Sequence, residues 1–228
     1  PAPMSQQQFE DVPADPSLAD PLPPEPFALF GRWLDEAVRG EVQPNPQAMT
    51  VASVDEDGRP GARVVLCRGF DPAAGHVVFY SNRQSRKGAE LLPHAPVAAV
   101  LHWDTLARQV RIEGPVVYSP DGESDAYFAQ RPRLAQISAW ASEQSRPVAS
   151  RAALLARHAE LDARWGIDGD TPIPRPPHWG GYRIIIARIE LWVGSAGRCH
   201  DRGLWTRTLT RAGDDYRGGA WEVSRLQP

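Results

Sequence analysis

The segment Ile189–Arg202 concentrates residue types that could do chemistry. It places a tryptophan, two arginines, a histidine and an aspartate in what is predicted to be a two-stranded β-ribbon. Because side chains alternate between the two faces of a strand, Arg198, His200 and Arg202 are expected to share one face. Three cationic or potentially cationic groups resist burial without an anion. The pattern therefore indicates a phosphorylated ligand, with a solvated edge strand carrying scattered charges as the alternative.

Further basic clusters point to the same kind of ligand. Arg63 and Arg68 stand at the two ends of one predicted strand. Ser85, Arg86 and Lys87 begin a predicted short helix, where free backbone N–H groups and the helix dipole favour an anion. An ordinary capped helix with exposed basic residues is the alternative. Two weaker polar clusters complete the set: Arg131-Pro-Arg133 and Gln144-Ser145.

Composition excludes several classes of function. A net charge of -3 across 228 residues argues against a nucleic-acid partner. No apolar run approaches the ~20 residues of a membrane span, so no membrane partner is expected. Two cysteines without a CxxC spacing and six scattered histidines predict no metal site and a reducing, cytoplasmic location. The chain also lacks the glycine-rich and nucleophile motifs of dinucleotide-binding folds, P-loop proteins and α/β-hydrolases.

The elements that must position these residues are mostly short strands. Residues 1–25, rich in proline and acidic residues, are predicted to form a flexible N-terminal arm. Residues 26–228 are predicted to form a single domain of mainly β (α+β) class, an antiparallel barrel with flanking helices. The predicted helices are 27–39, 85–92, 121–130, 134–141 and 147–165. The predicted strands are 48–54, 61–69, 76–80, 97–103, 107–118, 182–193, 198–208 and 221–226.

The order and wording of these segments resemble the pyridoxine/pyridoxamine 5'-phosphate oxidase family, from about Phe27 to Pro228. The matching stretches are AMTVASVDEDGRPGARVVL, VVFYSNRQSRKGAELL, LHWDTLARQVRIEG, SDAYFAQRPRLAQISAWASEQS, HWGGYR, IELW, RCHDR and RLQP. The resemblance implies a split β-barrel homodimer with FMN at the subunit interface. The residues that fall on the family's FMN positions are Arg63, Val64, Val65, Leu66, Tyr80, Ser81, Arg86, Lys87, Gln109, Gln144, Ser145, Trp192 and Arg202.

The substrate positions match the family less completely. Tyr127 and Arg131 fall on positions that hold the substrate phosphate, and Arg198 and His200 on the catalytic pair flanking the pyridine ring. Two further substrate positions depart from the family pattern, which has lysine where this chain has Arg68 and serine where it has Ala135. Arg68 keeps the charge, and arginine supplies 24 of the 25 basic residues here. Ala135 lacks a hydroxyl, and losing that hydrogen bond to a phosphate costs about 1.5–3 kcal/mol.

The resemblance implies an oxidase that moves a hydride from the C4' carbon of a B6 vitamer phosphate to FMN. Dioxygen then accepts the electrons and becomes hydrogen peroxide. Two alternatives stay open. A relative in phenazine biosynthesis would use the same barrel to oxidise another reduced ring, and a non-catalytic flavin-binding or haem-binding protein would keep the barrel without the substrate residues.

Overall fold

The computed structural model describes residues 17–166 and 169–228. Its helices are α1 (Phe27–Arg39), α2 (Arg86–Glu90), α3 (Asp121–Ala129), α4 (Arg133–Ala141) and α5 (Arg151–Trp165). Its strands are β1 (Ala48–Val54), β2 (Pro60–Leu66), β3 (Gly69–Asp71), β4 (His76–Asn82), β5 (Pro96–Trp103), β6 (Arg108–Tyr118), β7 (Trp179–Ile185), β8 (Arg188–Val193), β9 (Asp201–Thr206), β10 (Leu209–Ala212), β11 (Asp215–Gly218) and β12 (Glu222–Leu226). None of the helices in these ranges is long and apolar enough to cross a membrane.

The strands form a curled antiparallel sheet, which confirms the predicted fold class. Its main path runs β12-β9-β8-β6-β5-β1-β2, and β6 also pairs with β7, which continues to β4 and β3. The long strand β6 therefore belongs to both branches. Its first part, Arg108–Glu113, pairs with β8, and its last part, Val116–Tyr118, pairs with β7.

The main core lies inside the curl, where α1 packs with Phe30 and Trp33 buried. Alternation in β1 is regular, with Met49 and Val51 buried between more exposed neighbours, as period-2 patterning requires. A second, smaller core joins the helices α3, α4 and α5 around Phe128. The helices α3, α4 and α5 thus form a helical block beside the sheet.

Two predicted strands are each divided in the structure. The predicted strand 61–69 breaks after Leu66, because the Arg68 N–H donates to Val78 on β4, 2.7 Å away, rather than continuing the pairing with β1. The predicted strand 182–193 breaks at Ile186–Ala187, where the chain leaves β4 and joins β9. Both breaks occur where the sheet curls and the chain changes its hydrogen-bonded neighbour strand. Hydrophobic periodicity is a local pattern, so it does not predict which strand will be the neighbour.

The predicted strand beginning at Arg198 is wrong in its first residues. Residues Ala196–Arg198 form a 3-10 turn, and β9 begins at Asp201. Gly197 and Arg198 both adopt left-handed backbone, with φ of 69° and 63°. The alternation argument that placed Arg198 on one strand face with His200 and Arg202 therefore fails for Arg198. The predicted ribbon itself is confirmed, because β8 and β9 pair from Arg188 to Val193.

The hairpin β10–β11 is an element that the sequence reading missed. Gly213 adopts a φ of 67° in a turn of two residues between the strands. Glycine followed by aspartate is a recognised hairpin signal. The Tyr216 hydroxyl of this hairpin lies 3.0 Å from His94 Nδ1, which attaches the hairpin to the loop before β5.

Residues 17–25 of the predicted N-terminal arm lie against the end of the sheet. The Leu18 N–H donates to Asp201 Oδ2 at 2.7 Å, and the Leu18 side chain is buried. Arg225 donates to the Ala19 carbonyl at 2.9 Å, and Trp205 Nε1 to the Pro23 carbonyl at 2.8 Å. The remainder of the arm, residues 1–16, lies outside the described residues.

Cys67 provides a direct test of the core. It is buried, its thiol contacts the Gly69 carbonyl at 3.5 Å, and burial raises its pKa to about 11. Because the thiolate is the reactive form, a Cys199→Ser variant is expected to show no reactive thiol at pH 8 in the native state and one after denaturation. A colorimetric thiol titration measures this, and rapid labelling of the native variant would contradict the packing around Cys67.

Candidate functional site

A cleft of about 270 Å³ opens between β2, β4 and the helical block. Its walls are lined by Val64, Val65, Leu66, Arg68, Tyr80, Ser81, Lys87, Tyr127, Arg131, Gln144 and Trp179. All of these except Trp179 are sequence-predicted site residues, drawn from four separate segments. The curl of the sheet brings them together, since β2 and β4 reach the cleft and α3 covers it with Tyr127.

Arg68 reaches the cleft because it stands at the break between β2 and β3. Its Nη1 donates to Gln47 Oε1 at 3.1 Å, which orients the guanidinium. A second cleft of about 400 Å³ continues from the first on this side. It is lined by Arg68, Tyr127, Gln130, Arg131, Pro132 and Ala135. The four residues predicted to surround a substrate phosphate, Ala135 included, are thus brought to one place.

A stack of aromatic rings forms one wall of the cleft. The Tyr80 and Tyr127 rings are parallel with centroids 3.9 Å apart, and Trp179 lies 5.3 Å from Tyr80. The Arg131 guanidinium lies over the Trp179 ring, 4.7 Å from its centroid. Trp179 thus supports Arg131 through a cation–π contact. The HWGGYR motif contained this residue, but nothing in the sequence gave it a role.

Arg131 brings a partly unsatisfied guanidinium to the cleft. Its Nη1 is buried and makes no hydrogen bond with the described residues. Burial lowers the pKa of Arg131. The nearby Tyr127 partly opposes this effect, and the charge of Arg68 adds a smaller lowering. Arginine stays charged under such shifts. Among the described residues, no aspartate or glutamate lines either cleft, so these cations face a space that suits an anion.

The second basic group surrounds α2. Arg63 and Arg86 both pair with the buried carboxylate of Glu90, and Lys87 Nζ contacts Ser85 Oγ at 3.2 Å and Gln144 Oε1. The helix has only five residues, and its Ser85 cap accepts from the Gly88 N–H at 3.2 Å. The anion preference of this region therefore comes from its side chains more than from a helix dipole.

Lys87 gives the α2 region a pH dependence. Burial lowers its pKa and the charge of Arg63 adds to this, while Glu90 partly opposes it. Its charged form is therefore lost at a lower pH than the usual lysine value of 10.5. A bound phosphate would favour the charged form, so phosphate affinity is expected to fall as the pH rises through the lowered pKa.

The measurement is the ratio of FMN to riboflavin affinity between pH 7 and 10, because riboflavin has the same ring system without the phosphate. A Lys87→Arg variant is the control, since a guanidinium does not titrate in this range. Its ratio should stay level where the ratio of the native protein declines. Parallel curves for both proteins would exclude Lys87 as the group responsible.

Three of the remaining predicted residues form a row on the sheet. Gln109, Trp192 and Arg202 are direct cross-strand neighbours on β6, β8 and β9. The His200 ring lies 4.7 Å from the Trp192 ring, and its Nδ1 accepts from the Ser195 N–H at 3.3 Å. Residues at one register share a face, so the sheet aligns side chains that are far apart in sequence.

Arg202 is fixed in this row by a buried acid. Its Nε donates to Glu190 Oε1 at 2.9 Å, and the same carboxylate accepts from Arg111 at 3.1 Å. The hydrogen bond to Glu190 raises the pKa of Arg202. Sequence reasoning gave Glu190 no role, although it lies within the IELW motif.

The structure divides the predicted site into separate groups within one chain. Gln109, Trp192, His200 and Arg202 do not line the cleft that holds Tyr127 and Arg131. Arg198 and Ser145 are exposed, and both have left-handed backbone, which is uncommon for residues other than glycine.

Comparison with known proteins agrees with this architecture. Residues 34–164 match the family described as pyridoxamine 5'-phosphate oxidase. The chain belongs to this family. Residues 179–228 match a second family region, described as the pyridoxine 5'-phosphate oxidase C-terminal dimerisation region. Membership in the pyridoxamine 5'-phosphate oxidase family makes the chain an FMN-dependent oxidoreductase.

Individual relatives extend over most of the chain. The pyridoxine/pyridoxamine 5'-phosphate oxidase of Azorhizobium caulinodans is 49% identical over 205 residues, 90% of each sequence. The crystal structure of PhzG from Burkholderia lata 383, in complex with tetrahydrophenazine-1-carboxylic acid, is 33% identical with a TM-score of 0.78 and covers 92% of this chain and 95% of that one. An FMN-binding protein from Nostoc punctiforme shares the fold at 16% identity and a TM-score of 0.64, covering 87% of this chain and 96% of that one.

Proposed function

We propose that this protein oxidises pyridoxine 5'-phosphate and pyridoxamine 5'-phosphate to pyridoxal 5'-phosphate. The observation that carries the proposal is the cleft that Arg131 shares with Arg68 and Tyr127. The buried Nη1 of Arg131 has no hydrogen-bond partner there, and none of the described lining residues is a carboxylate. Such a cleft suits the phosphate of a small substrate. The aromatic stack beside it suits a flat ring. Relatives with the corresponding name support the same substrate class.

The reaction balances with dioxygen as the oxidant. Pyridoxine 5'-phosphate and dioxygen give pyridoxal 5'-phosphate and hydrogen peroxide. Pyridoxamine 5'-phosphate also consumes one water and releases ammonia, because the imine formed by oxidation is hydrolysed. FMN supplies the two-electron chemistry when bound, and the protein supplies binding, orientation and charge.

The residues of this chain fit a phosphorylated flavin. Arg63, Arg86 and Lys87 would hold its phosphate, since they form a cationic group near the cleft. The other FMN-binding residues would be Val64, Val65, Leu66, Tyr80, Ser81, Gln109, Gln144, Ser145, Trp192 and Arg202. Residues 26–228 would together form one FMN-binding domain.

On the substrate side, Arg68, Tyr127 and Arg131 would anchor the phosphate and so fix the position of the reacting carbon. Arg198 and His200 would be the catalytic pair that contacts the ring.

The separation of the cleft from the sheet row supports a homodimer. In such a dimer, the row Gln109-Trp192-Arg202 of one subunit would complete the cleft of the other. The matched dimerisation region, residues 179–228, contains two of these three residues. Val64 lines the cleft on the edge strand β2 and is 65% exposed in the single chain, which suits a surface that a second copy covers.

Two free cysteines suit a reducing cytoplasm.

A second candidate is the oxidation of another reduced ring, as in a phenazine pathway. The similarity to PhzG favours it, and so does Ala135, because this side chain cannot donate a hydrogen bond to a phosphate. The retained cations Arg68 and Arg131 favour the B6 vitamer phosphates instead.

Aerobic turnover of the FMN-loaded protein with each B6 substrate tests the proposal. Aldehyde absorbance and peroxide release are followed together. Turnover at micromolar substrate supports the B6 assignment, and an Ala135→Ser variant should then bind substrate about tenfold more tightly. A yellow, FMN-bound protein that leaves both substrates unchanged would overturn the assignment in favour of another ring.

A further inference from the structure

Glu90 is a buried carboxylate at the end of α2 that binds three side chains, one each from β1, β2 and α2. Its side chain is 3% exposed. The Ser53 hydroxyl donates to Oε2 at 2.6 Å, Arg63 Nη2 contacts the same oxygen, and Arg86 Nε donates to Oε1 at 3.0 Å. These partners outweigh the effect of burial, so the pKa of Glu90 lies below its usual value. Glu90 is thus a fixed negative charge at neutral pH.

The Glu90 carboxylate orients the guanidinium groups of Arg63 and Arg86 differently. Arg63 points inward, because Nη2 contacts Glu90 while Nη1 donates to Ser53 Oγ at 2.6 Å and to the Val51 carbonyl at 3.2 Å. Arg86 is held through Nε alone, and its side chain is 66% exposed. The two Nη groups of Arg86 make no hydrogen bond with the described residues. They form an outward fork, which is the geometry that binds phosphate oxygens in pairs.

The local backbone accommodates this arrangement. Gly61 on β2 faces the ion pair, and an added Cβ there would lie 3.0 Å from Arg63 Nη2 and 3.2 Å from Glu90 Oε2. The charges are also matched. Arg63, Arg86 and Lys87 with Glu90 sum to +2, whereas a phosphate monoester approaches -2 at neutral pH.

We propose that Glu90 is a positioning residue that holds the Arg86 fork for the phosphate of FMN and fixes Arg63 behind this fork as a second positive charge. This inference rests on the proposed placement of that phosphate beside Arg63, Arg86 and Lys87. Glu90 itself does not contact the ligand. Its role is to select the phosphorylated flavin over the unphosphorylated one.

The test compares FMN with riboflavin in a Glu90→Gln variant, using quenching of flavin fluorescence by the apoprotein. Glutamine keeps the size of the side chain but removes the charge that holds both guanidinium groups. FMN affinity is expected to fall about 10- to 100-fold, and riboflavin affinity to change less than about twofold, because riboflavin has no phosphate to misplace. An equal loss for both ligands would mean a merely structural role. Tighter FMN binding would mean that Glu90 competes with the phosphate, and both results overturn the proposal.

Further variants separate the possible failures. Glu90→Asp keeps the negative charge but moves it back by one methylene group. This variant should lose affinity for FMN but not for riboflavin, and it provides the test if Glu90→Gln fails to fold. Ser53→Ala should give a smaller loss of the same kind, and Glu160→Gln, which breaks an exposed ion pair with Arg157 on α5, should give none. If Arg86→Met also leaves the FMN-to-riboflavin ratio unchanged, the proposed phosphate placement fails. If Arg86→Met lowers the ratio and the Glu90 variants do not, only the role of Glu90 fails.

Discussion

Replacing Arg131 with methionine is expected to lower kcat/KM for pyridoxine 5'-phosphate by about 10²- to 10³-fold. The buried Nη1 of Arg131 makes no hydrogen bond with the described residues. The cation lies over Trp179 in a cleft whose described lining residues include no carboxylate. Two charge-assisted hydrogen bonds to a phosphate are together worth about 3–4 kcal/mol, which corresponds to that loss. Methionine is chosen because it fills similar apolar space without the charge.

Unphosphorylated pyridoxine provides the internal control for this prediction. Its weak turnover should be nearly the same in the native protein and in Arg131→Met, so the preference for the phosphorylated substrate should collapse. The ligand-free variant should keep its stability to urea within about 1 kcal/mol, because the lost cation–π contact with Trp179 is offset by removal of a desolvated cation whose Nη1 has no hydrogen-bond partner among the described residues. An equal loss for both substrates, or a large loss of stability, would show that Arg131 supports the fold instead of binding phosphate.

The fold class was predictable because most strands are local events. The hairpin β1–β2 has alternating burial in β1 and a turn in which Gly58 has a φ of 80°. Both features depend only on residues that are close together in the sequence. The breaks in 61–69 and 182–193 were not predictable from the sequence. They depend on which distant strand supplies the next hydrogen bond, such as Val78 for Arg68.

The sequence predicted which residues belong to the candidate site better than it predicted their arrangement in space. The order of motifs identified Arg68, Tyr127, Arg131 and Ala135 together, and the structure places all four around one cleft. The strand-face argument for Arg198 failed because Gly197 allows a left-handed turn there. Alternation holds only where a strand exists, and a glycine next to an arginine gave no clear sign of the break.

The acids that orient the arginines could not have been found from residue type alone. Glu90 and Glu190 each lie in a stretch that matches the family, but residue type gave neither a role, because a glutamate is most often solvent-exposed. Each instead lies buried between two arginines. Burial of an acid depends on the three-dimensional position of its partners, of which only Arg86, four residues before Glu90, is close in sequence.

Replacing Gly114 with alanine is expected to reduce the free energy of unfolding by at least about 3 kcal/mol. Gly114 lies in β6 between the residues that pair with β8 and those that pair with β7. An added Cβ would lie 1.8 Å from the Ile185 carbonyl oxygen and 3.1 Å from the Ala187 nitrogen. These two atoms belong to the backbone at the β7–β8 corner, where β7 ends at Ile185 and β8 begins at Arg188. They cannot move aside as a flexible side chain could.

Urea unfolding of the apoprotein measures the effect of Gly114→Ala, and Gly122→Ala is the matched control. Gly122 lies exposed in α3 with nothing within 4 Å of its added Cβ, so alanine there should raise stability by up to about 1 kcal/mol. The two substitutions add the same methyl group and should act in opposite directions. If Gly114→Ala unfolds at the same urea concentration as the native protein, the close contact between β6 and the β7–β8 corner is not a feature of the folded chain.

The corner also joins the two branches of the sheet. A destabilised Gly114→Ala protein should therefore lose FMN and riboflavin affinity together, unlike the Glu90 variants.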